Sequence, residues 1–224
     1  MILKWKKIGK TSIVGKIGIL FVIGLIISIP QIISGNLNLV DYISIEGGDA
    51  RLITLISIFG VIAAINSLLV NLLIQPALNL SNNYIYLKVV RKDKFSIKDS
   101  FYGFVNYKKA VKLYLLIFLR VLLGLILFIV PGIIIAYKYS MCFYILAEEP
   151  DISVRDCLKK SCEITNGNKK HLFLLDLSFV GWWILAVLTL GVLFIWVTPY
   201  QNASRTAAYL DLNTNILIEE TALI

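Results

Sequence analysis

Seven polar residues interrupt the long apolar stretches of this 224-residue chain, and they are the side chains most able to do chemistry. They are Asn79, Arg120, Lys138, Ser140, Asp176, Asn202 and Arg205. At about 1.5 Å per helical residue from the nearest polar end, Asn79, Lys138 and Asn202 lie roughly 13–15 Å inside their apolar stretches, and Arg120 lies roughly 11 Å inside. Arg205 and Asp176 are shallower. The sequence therefore predicts a polar cluster at a common level.

The charges of this cluster suggest three kinds of chemistry. Arg120 and Asp176 are predicted to form an ion pair that locks two neighbouring helices together. Lys138 and Arg205 are then surplus cations, which could hold an anionic group such as a lipid phosphate or an acidic side chain of a partner peptide. A proton or ion pathway through Asp176 is the third possibility. The asparagines and serines also suit hydrogen bonds between helices.

Catalytic motifs are missing from the chain. It contains no G-x-x-x-x-G-K, G-x-S-x-G or H-E-x-x-H sequence, one histidine, and three scattered cysteines. A phosphate-binding loop, a serine hydrolase site and a zinc site built by the protein each need one of these patterns. We therefore expect a protein that is not an enzyme, with no catalytic residues, no cofactor and no metal site.

The composition predicts that lipid, rather than water, surrounds the helices that carry these residues. Hydrophobic residues make up 58% of the chain and charged residues 16%, where a soluble domain has about 45–50% and 25%. The mean hydropathy is +0.80. Only a lipid bilayer can accommodate this excess of apolar surface, and single helices span it because their backbone groups are satisfied internally. The prediction is an all-α, polytopic transmembrane bundle.

Six spans are predicted, arranged as three helical hairpins in a single domain over residues 1–224. The spans run from Ile13 to Ser34, within Leu52 to Leu87, and then over 113–130, 133–147, 172–189 and 192–210. The hairpin units cover 13–92, 95–147 and 152–210, followed by a short tail over 211–224. Pro131-Gly132 is the predicted turn of the second hairpin and Leu190-Gly191 that of the third.

The hairpins resemble one another, so an internal repeat is predicted. Residues 113–132 align with 172–191 without a gap, and Ser96 to Asp99 mirrors Ser153 to Asp156. The second of these short segments predicts an amphipathic cytoplasmic helix with Ser153 as its N-cap. Chance similarity between apolar segments is the alternative, and the first hairpin is the weakest copy.

Basic residues indicate the orientation. Five lie in residues 1–16, eight in 88–112 and five in 148–171, whereas the segment 35–51 holds only Arg51. Lysine and arginine collect on the cytoplasmic side of a membrane, so both termini are expected there. The same residues account for the net charge of +8 through anionic lipid headgroups, and nucleic-acid binding is not expected.

Further motifs carry a family resemblance. They are Pro131-Gly132-Ile133, residues 137–141 and 144–147, and the segment from Leu175 to Trp182. In these segments the chain resembles the bacterial integral-membrane proteins of domain-of-unknown-function family 975, and more distantly the membrane domain of some glycerophosphodiester phosphodiesterases. The resemblance implies a multi-pass protein of a bacterial cytoplasmic membrane with no established reaction. The catalytic domain of the phosphodiesterases has no counterpart here.

Together these observations favour a membrane protein that binds an anionic lipid, or an amphipathic peptide or protein partner, through the polar cluster. Such a protein could be an accessory or protective membrane factor. A small permease or channel for an anion or protons is the alternative.

Overall fold

The computed structural model describes residues 1–35 and 50–222, with side chains described for 1–30 and for 58–214 apart from 59 and 63. Every regular element in these ranges is a helix, which confirms the all-α prediction. The α-helices are α1 (Ile2–Ile13), α2 (Ile17–Gly35), α3 (Ala50–Leu69), α4 (Gln75–Arg91), α5 (Tyr102–Val105), α6 (Tyr107–Leu127), α7 (Ile129–Lys138), α8 (Cys142–Glu148), α9 (Val154–Thr165), α10 (Lys169–Leu188) and α11 (Phe194–Ala222). A π-helix, Val70–Ile74, joins α3 to α4, and a 3-10 helix, Ile97–Phe101, precedes α5.

Four helical segments of the described chain are long and apolar enough to cross a bilayer. They are Gly60–Arg91, Tyr107–Leu127, Ile129–Glu148 and Lys169–Leu188. The pair Ile2–Ile13 and Ile17–Pro30, bent by 97°, gives a fifth if it is one broken span. The structure is thus compatible with a membrane protein, whereas six spans in three hairpins are not confirmed.

The predicted sixth span is one that the structure does not confirm. It corresponds to α11, which is long enough to cross a bilayer but is not one of the four segments. Gln201, Asn202, Arg205 and Asp211 lower its apolar character. The predicted loop between the first two spans falls in 36–49, which lies outside the described residues, as does the end of the tail.

The core lies where the ends of α4, α8 and α11 meet. Fully buried side chains there include Leu80 and Ile85 of α4 and Ile145 and Leu146 of α8. Tyr209 of α11 is also buried, and its ring stacks on Tyr144 at 5.1 Å. Side chains of these three helices are therefore packed against one another, while the outer surfaces of α6, α7 and α10 expose large apolar side chains.

The amino-terminal helix packs along α11. Trp5 is fully buried, and its indole nitrogen donates a hydrogen bond of 2.8 Å to Asp211, which also pairs with Lys4 at 2.5 Å. Gly9 lies against Ser204 so closely that an added Cβ would be 2.6 Å from the Ser204 backbone nitrogen. The chain then turns at Gly15, whose φ of 75° favours glycine, and continues into α2.

The predicted Pro131-Gly132 turn is wrong by a few residues. α6 ends at Leu127, the extended Phe128 makes the turn, and α7 begins at Ile129. Pro131 lies in the first turn of α7, where a missing backbone N–H costs no helical hydrogen bond. Gly132 lets the two helices approach, since a Cβ there would be 2.5 Å from the Leu125 side chain.

Two other local predictions are confirmed. The hinge between α10 and α11 falls at Leu190 and Gly191, both with positive φ. The helix predicted after Ser153 is α9, and the Ser153 hydroxyl accepts a hydrogen bond from the Asp156 backbone nitrogen. Its buried residues include Cys157, Leu158 and Ile164, as the apolar stripe indicated.

Candidate functional site

An ion pair inside the bundle joins α10 to α11. The Arg205 guanidinium donates a hydrogen bond of 2.8 Å to Oδ2 of Asp176. The Tyr137 hydroxyl of α7 donates to the same oxygen, also at 2.8 Å. Three helices thus meet at one carboxylate oxygen, which accepts hydrogen bonds from a guanidinium and from a phenol.

The predicted pairing of Arg120 with Asp176 is wrong. Asp176 is engaged by Arg205, and Arg120 donates instead to the Tyr139 hydroxyl at 3.2 Å. Depth along each helix was predicted from residue counts, but the direction in which a side chain leaves its helix depends on packing. Arg205, predicted as a surplus cation, is therefore the paired one.

Tyr139 brings two cations together. The guanidinium carbon of Arg120 lies 5.3 Å from the centre of its ring, and the Lys138 ammonium lies 5.8 Å from the same point. No carboxylate forms a salt bridge with Arg120 or Lys138 in the described part of the chain. We call Arg120, Lys138 and Tyr139 the Tyr139 cluster. Its positive charge is balanced only by the face of one aromatic ring, which attracts cations weakly.

Arg120 also lines a groove between α6 and α9. The groove has a volume of about 510 Å³, and its cations are Lys112, Arg120 and Arg155. The rest of its wall is formed by Leu116, Ser153, Val154 and Leu158. We call it the α6–α9 groove. It presents positive charge beside apolar surface and shares Arg120 with the Tyr139 cluster.

A break in the helix creates the Tyr139 cluster. α7 ends at Lys138 and α8 begins at Cys142, so the carbonyl of Lys138 is free of its helical partner. The buried hydroxyl of Ser161, on α9, donates to this carbonyl at 3.0 Å, and the buried hydroxyl of Thr165 lies 3.2 Å from it and 2.8 Å from the carbonyl of Ser161. Irregular backbone inside a bundle persists where such partners satisfy it, so α9 stabilises the break.

The thiol of Cys162 lies near the same charges. Burial raises the pKa of this thiol above its ordinary value, and the positive charges of Lys138 and Arg120 act in the opposite direction. Cys162 is on α9, whose side chains at 161 and 165 bond the Lys138 carbonyl. The charges of Lys138 and Arg120 therefore act on a side chain of α9.

The remaining predicted residues do not join either group. Asn79 accepts a hydrogen bond from Gln75 one turn earlier on α4, and the Ser140 hydroxyl donates to the Tyr137 carbonyl. Asn202 lines a cavity between α2, α4 and α11. The seven predicted residues therefore divide among the ion pair, the Tyr139 cluster and separate helix contacts.

Four residues of the ion pair, the Tyr139 cluster and the groove were not among the predicted ones: Lys112, Tyr137, Tyr139 and Arg155. Lys112 and Arg155 stand at the polar ends of their helices, where the sequence indicated only membrane orientation. Tyr137 and Tyr139 flank Lys138 at alternate positions, and this spacing was the available signal. Among the described residues, no group of His, Cys, Asp and Glu could hold a metal ion.

These features define a multi-helix protein, compatible with a membrane, that holds an internal ion pair and a cationic groove. Residues 118–215 match the family described as "Protein of unknown function (DUF975)", which supports the resemblance to that family. The match covers less than half of the chain but includes Arg120, Lys138, Asp176 and Arg205. The likeness to glycerophosphodiester phosphodiesterase membrane domains is not supported, and no curated protein or solved structure matches the chain.

Proposed function

We propose that this chain is a non-enzymatic, multi-pass membrane protein that binds the headgroup of an anionic phospholipid in the α6–α9 groove. One observation supports this proposal above the others. Arg120 and Lys138 contact the same tyrosine ring without a carboxylate partner in the described residues, and Arg120 continues into a groove with two more cations.

The electrostatics favour an anionic ligand. Like charges at close range repel, and the repulsion is stronger beside apolar surface than in water. A phosphate in the groove would accept charge-assisted hydrogen bonds from Arg120, Arg155 and Lys112, which are stronger than neutral ones. Leu116 and Leu158 line the same groove and suit the glycerol and acyl portions of a lipid.

The position of the groove fits the proposed orientation. Lys112 follows Lys108 and Lys109 near the start of α6, and Arg155 lies in the first turn of α9. These basic segments belong to the side on which both termini are predicted, the cytoplasmic face of a bacterial membrane. That leaflet carries anionic lipids, so the ligand is abundant where the groove opens.

The charged side chains among the described residues that line the proposed binding site are all cations. The carboxylate of the ion pair, Asp176, is held by Arg205 and Tyr137 rather than placed in the α6–α9 groove. The groove itself offers cations, one serine hydroxyl and apolar surface. Such a site binds and retains an anion, in keeping with an accessory membrane factor.

Thermal unfolding in detergent tests the proposal. Phosphatidylglycerol should raise the unfolding midpoint of the wild type, since a ligand that binds only the folded state stabilises it, by about 2.7 kcal/mol at one hundred times Kd. Phosphatidylcholine should have little effect. The double variant Arg120→Gln/Lys138→Gln should lose the shift, and the control Lys7→Gln/Lys10→Gln, which removes the same charge from an exposed part of α1, should keep it. An equal shift in both double variants would contradict the proposal.

A permease for protons or anions is the second candidate, and one observation favours it. The Oδ1 atom of Asp176 is buried and has no hydrogen-bond partner within the described residues. A carboxylate oxygen of this kind can accept a proton or a water on a transport path. Proteoliposomes with an internal pH-sensitive dye test this function: a proton flux that disappears in Asp176→Asn supports it, and the absence of flux in the wild type excludes it.

A further inference from the structure

A second cavity lies between α2, α4 and α11. It has a volume of about 300 Å³. Its lining shares no residue with the α6–α9 groove. We call it the α2–α11 cavity. A ligand bound there does not depend on lipid binding in the α6–α9 groove.

One wall of this cavity is apolar. α2 contributes Leu20, Phe21, Leu25 and Ile27 to the lining. Gly24 lies among them, and a Cβ added there would meet no atom within 4 Å. The open space is therefore directly beside the α2 backbone. An apolar chain lying along this wall would be removed from contact with polar groups.

The opposite wall carries polar, uncharged side chains beside the apolar Phe194 and Pro199. Asn82 and Tyr86 are one turn apart on α4, and Thr198 and Asn202 are one turn apart on α11. Their side chains offer both donors and acceptors. No Lys, Arg, Asp, Glu or His is among the described residues that line the cavity. A charged headgroup would lose its hydration here without gaining a counter-ion, and this cost excludes it.

We propose that the α2–α11 cavity binds a single-chain neutral amphiphile of the monoacylglycerol class. Its acyl chain lies along the apolar wall of α2, and its hydroxyl and ester groups face the amides of Asn82 and Asn202. The volume is at the lower end of the range of about 300–1,000 Å³ for ligand pockets, which favours one chain over a diacyl lipid. The ligand enters from the bilayer along α2, which is the most apolar of the three helices that form the cavity.

Two glycines of α2 provide a matched test. Both Gly18 and Gly24 have space for a side chain, but only Gly24 lines the cavity. Gly24→Leu therefore fills the cavity, whereas Gly18→Leu adds the same side chain to the same helix elsewhere. Leucine has a higher helix propensity than glycine, so neither change should prevent α2 from forming.

The experiment is a titration of the purified, detergent-solubilised protein with 1-oleoylglycerol, followed by native mass spectrometry. We expect one molecule bound per chain, with affinity reduced about tenfold or more in Gly24→Leu and Asn202→Leu and unchanged in Gly18→Leu. Oleate, which is charged, and dioleoylglycerol, which has two chains, should each bind about tenfold more weakly.

Equal binding by Gly24→Leu and the wild type would overturn the proposal, as would equal affinity for oleate. Phosphatidylglycerol binding by the same variants distinguishes this site from the α6–α9 groove. Gly24→Leu should retain the response to phosphatidylglycerol, and Arg120→Gln/Lys138→Gln should retain binding of 1-oleoylglycerol. A negative result at one site therefore does not contradict the proposal for the other site.

Discussion

Arg205 and Asp176 form an ion pair of 2.8 Å that connects α11 to α10, with Tyr137 donating to the same carboxylate oxygen from α7. Replacing either charged residue leaves the other without its partner. Arg205→Gln and Asp176→Asn should each lower the free energy of unfolding by about 1–3 kcal/mol. The double variant should lose less than the sum, with a coupling energy of about 0.5–3 kcal/mol. Chemical unfolding in detergent measures all three.

Arg120 provides the control for this cycle. It contacts Tyr139 and not Asp176, so Arg120→Gln and Asp176→Asn should be additive within about 0.5 kcal/mol. Coupling between Arg120 and Asp176 instead of between Arg205 and Asp176 would refute the arrangement of these helices.

The contact between Gly9 and Ser204 predicts that α1 tolerates no larger residue at this position. The Cβ of Gly9→Ala would lie 2.6 Å from the Ser204 backbone nitrogen, so α1 must move away from α11. We expect a loss of about 1–3 kcal/mol, as for other overpacked sites. Gly18→Ala, whose Cβ meets no atom within 4 Å, should leave the unfolding midpoint unchanged or raise it. Equal effects of the two substitutions would contradict the packing of α1.

The docking of α1 should depend on pH. Burial of Asp211 opposes its ionisation, but hydrogen bonds from Lys4 and Trp5 outweigh burial and hold the pKa of this carboxyl below its ordinary value of 3.8. Because the folded pKa is the lower one, ionised Asp211 stabilises the folded state above about pH 4, and this contribution is lost as the pH falls through the folded pKa.

The comparison of the wild type with Asp211→Asn measures this contribution. The wild type should be the more stable at pH 7 and at pH 5, and the difference should shrink as the pH is lowered below about 4. A difference in unfolding midpoint that stays constant down to pH 3 would show that ionisation of Asp211 does not hold α1 in place.

The broken helix predicts a role for two hydroxyls of α9. Ser161→Ala together with Thr165→Val removes both side-chain donors to the Lys138 carbonyl. The loss of partners for this partly buried carbonyl should cost about 1–3 kcal/mol. Thr214→Val is the control, because among the described residues this exposed hydroxyl bonds a carbonyl of its own helix and no other group. A double variant as stable as the control would mean that α9 does not stabilise the break.

The sequence predicted those parts of the fold that depend on local patterns. Apolar runs placed the helices, Ser153 marked the start of α9, and Leu190-Gly191 marked the turn before α11, because these features depend on neighbouring residues. Pro131 misplaced a turn, since proline suits both a loop and the first turn of a helix. The number of spans was harder to predict, because α11 combines the length of a span with the polarity of a core helix.

The sequence indicated which charged residues lie inside apolar stretches, but not the direction of their side chains. Arg120, Lys138, Asp176 and Arg205 were all singled out in this way, yet the partner of Asp176 was assigned wrongly. Two helices that carry charges at a similar level can turn them toward or away from each other, and tertiary packing decides which. The helix also breaks after Lys138. This break depends on hydroxyls of α9 that are more than 20 residues away along the chain, so a local pattern could not predict it.

Binding of an anionic lipid headgroup in the α6–α9 groove, beside the cations at Tyr139, is tested most directly by lipid competition. Delipidated protein is equilibrated with equal amounts of phosphatidylglycerol and phosphatidylcholine, and the lipids that remain bound are counted by native mass spectrometry. We predict that the wild type and Lys7→Gln/Lys10→Gln retain phosphatidylglycerol preferentially and that Arg120→Gln/Lys138→Gln shows no preference. Equal retention of the two lipids by the wild type, or an undiminished preference in Arg120→Gln/Lys138→Gln, would contradict the claim.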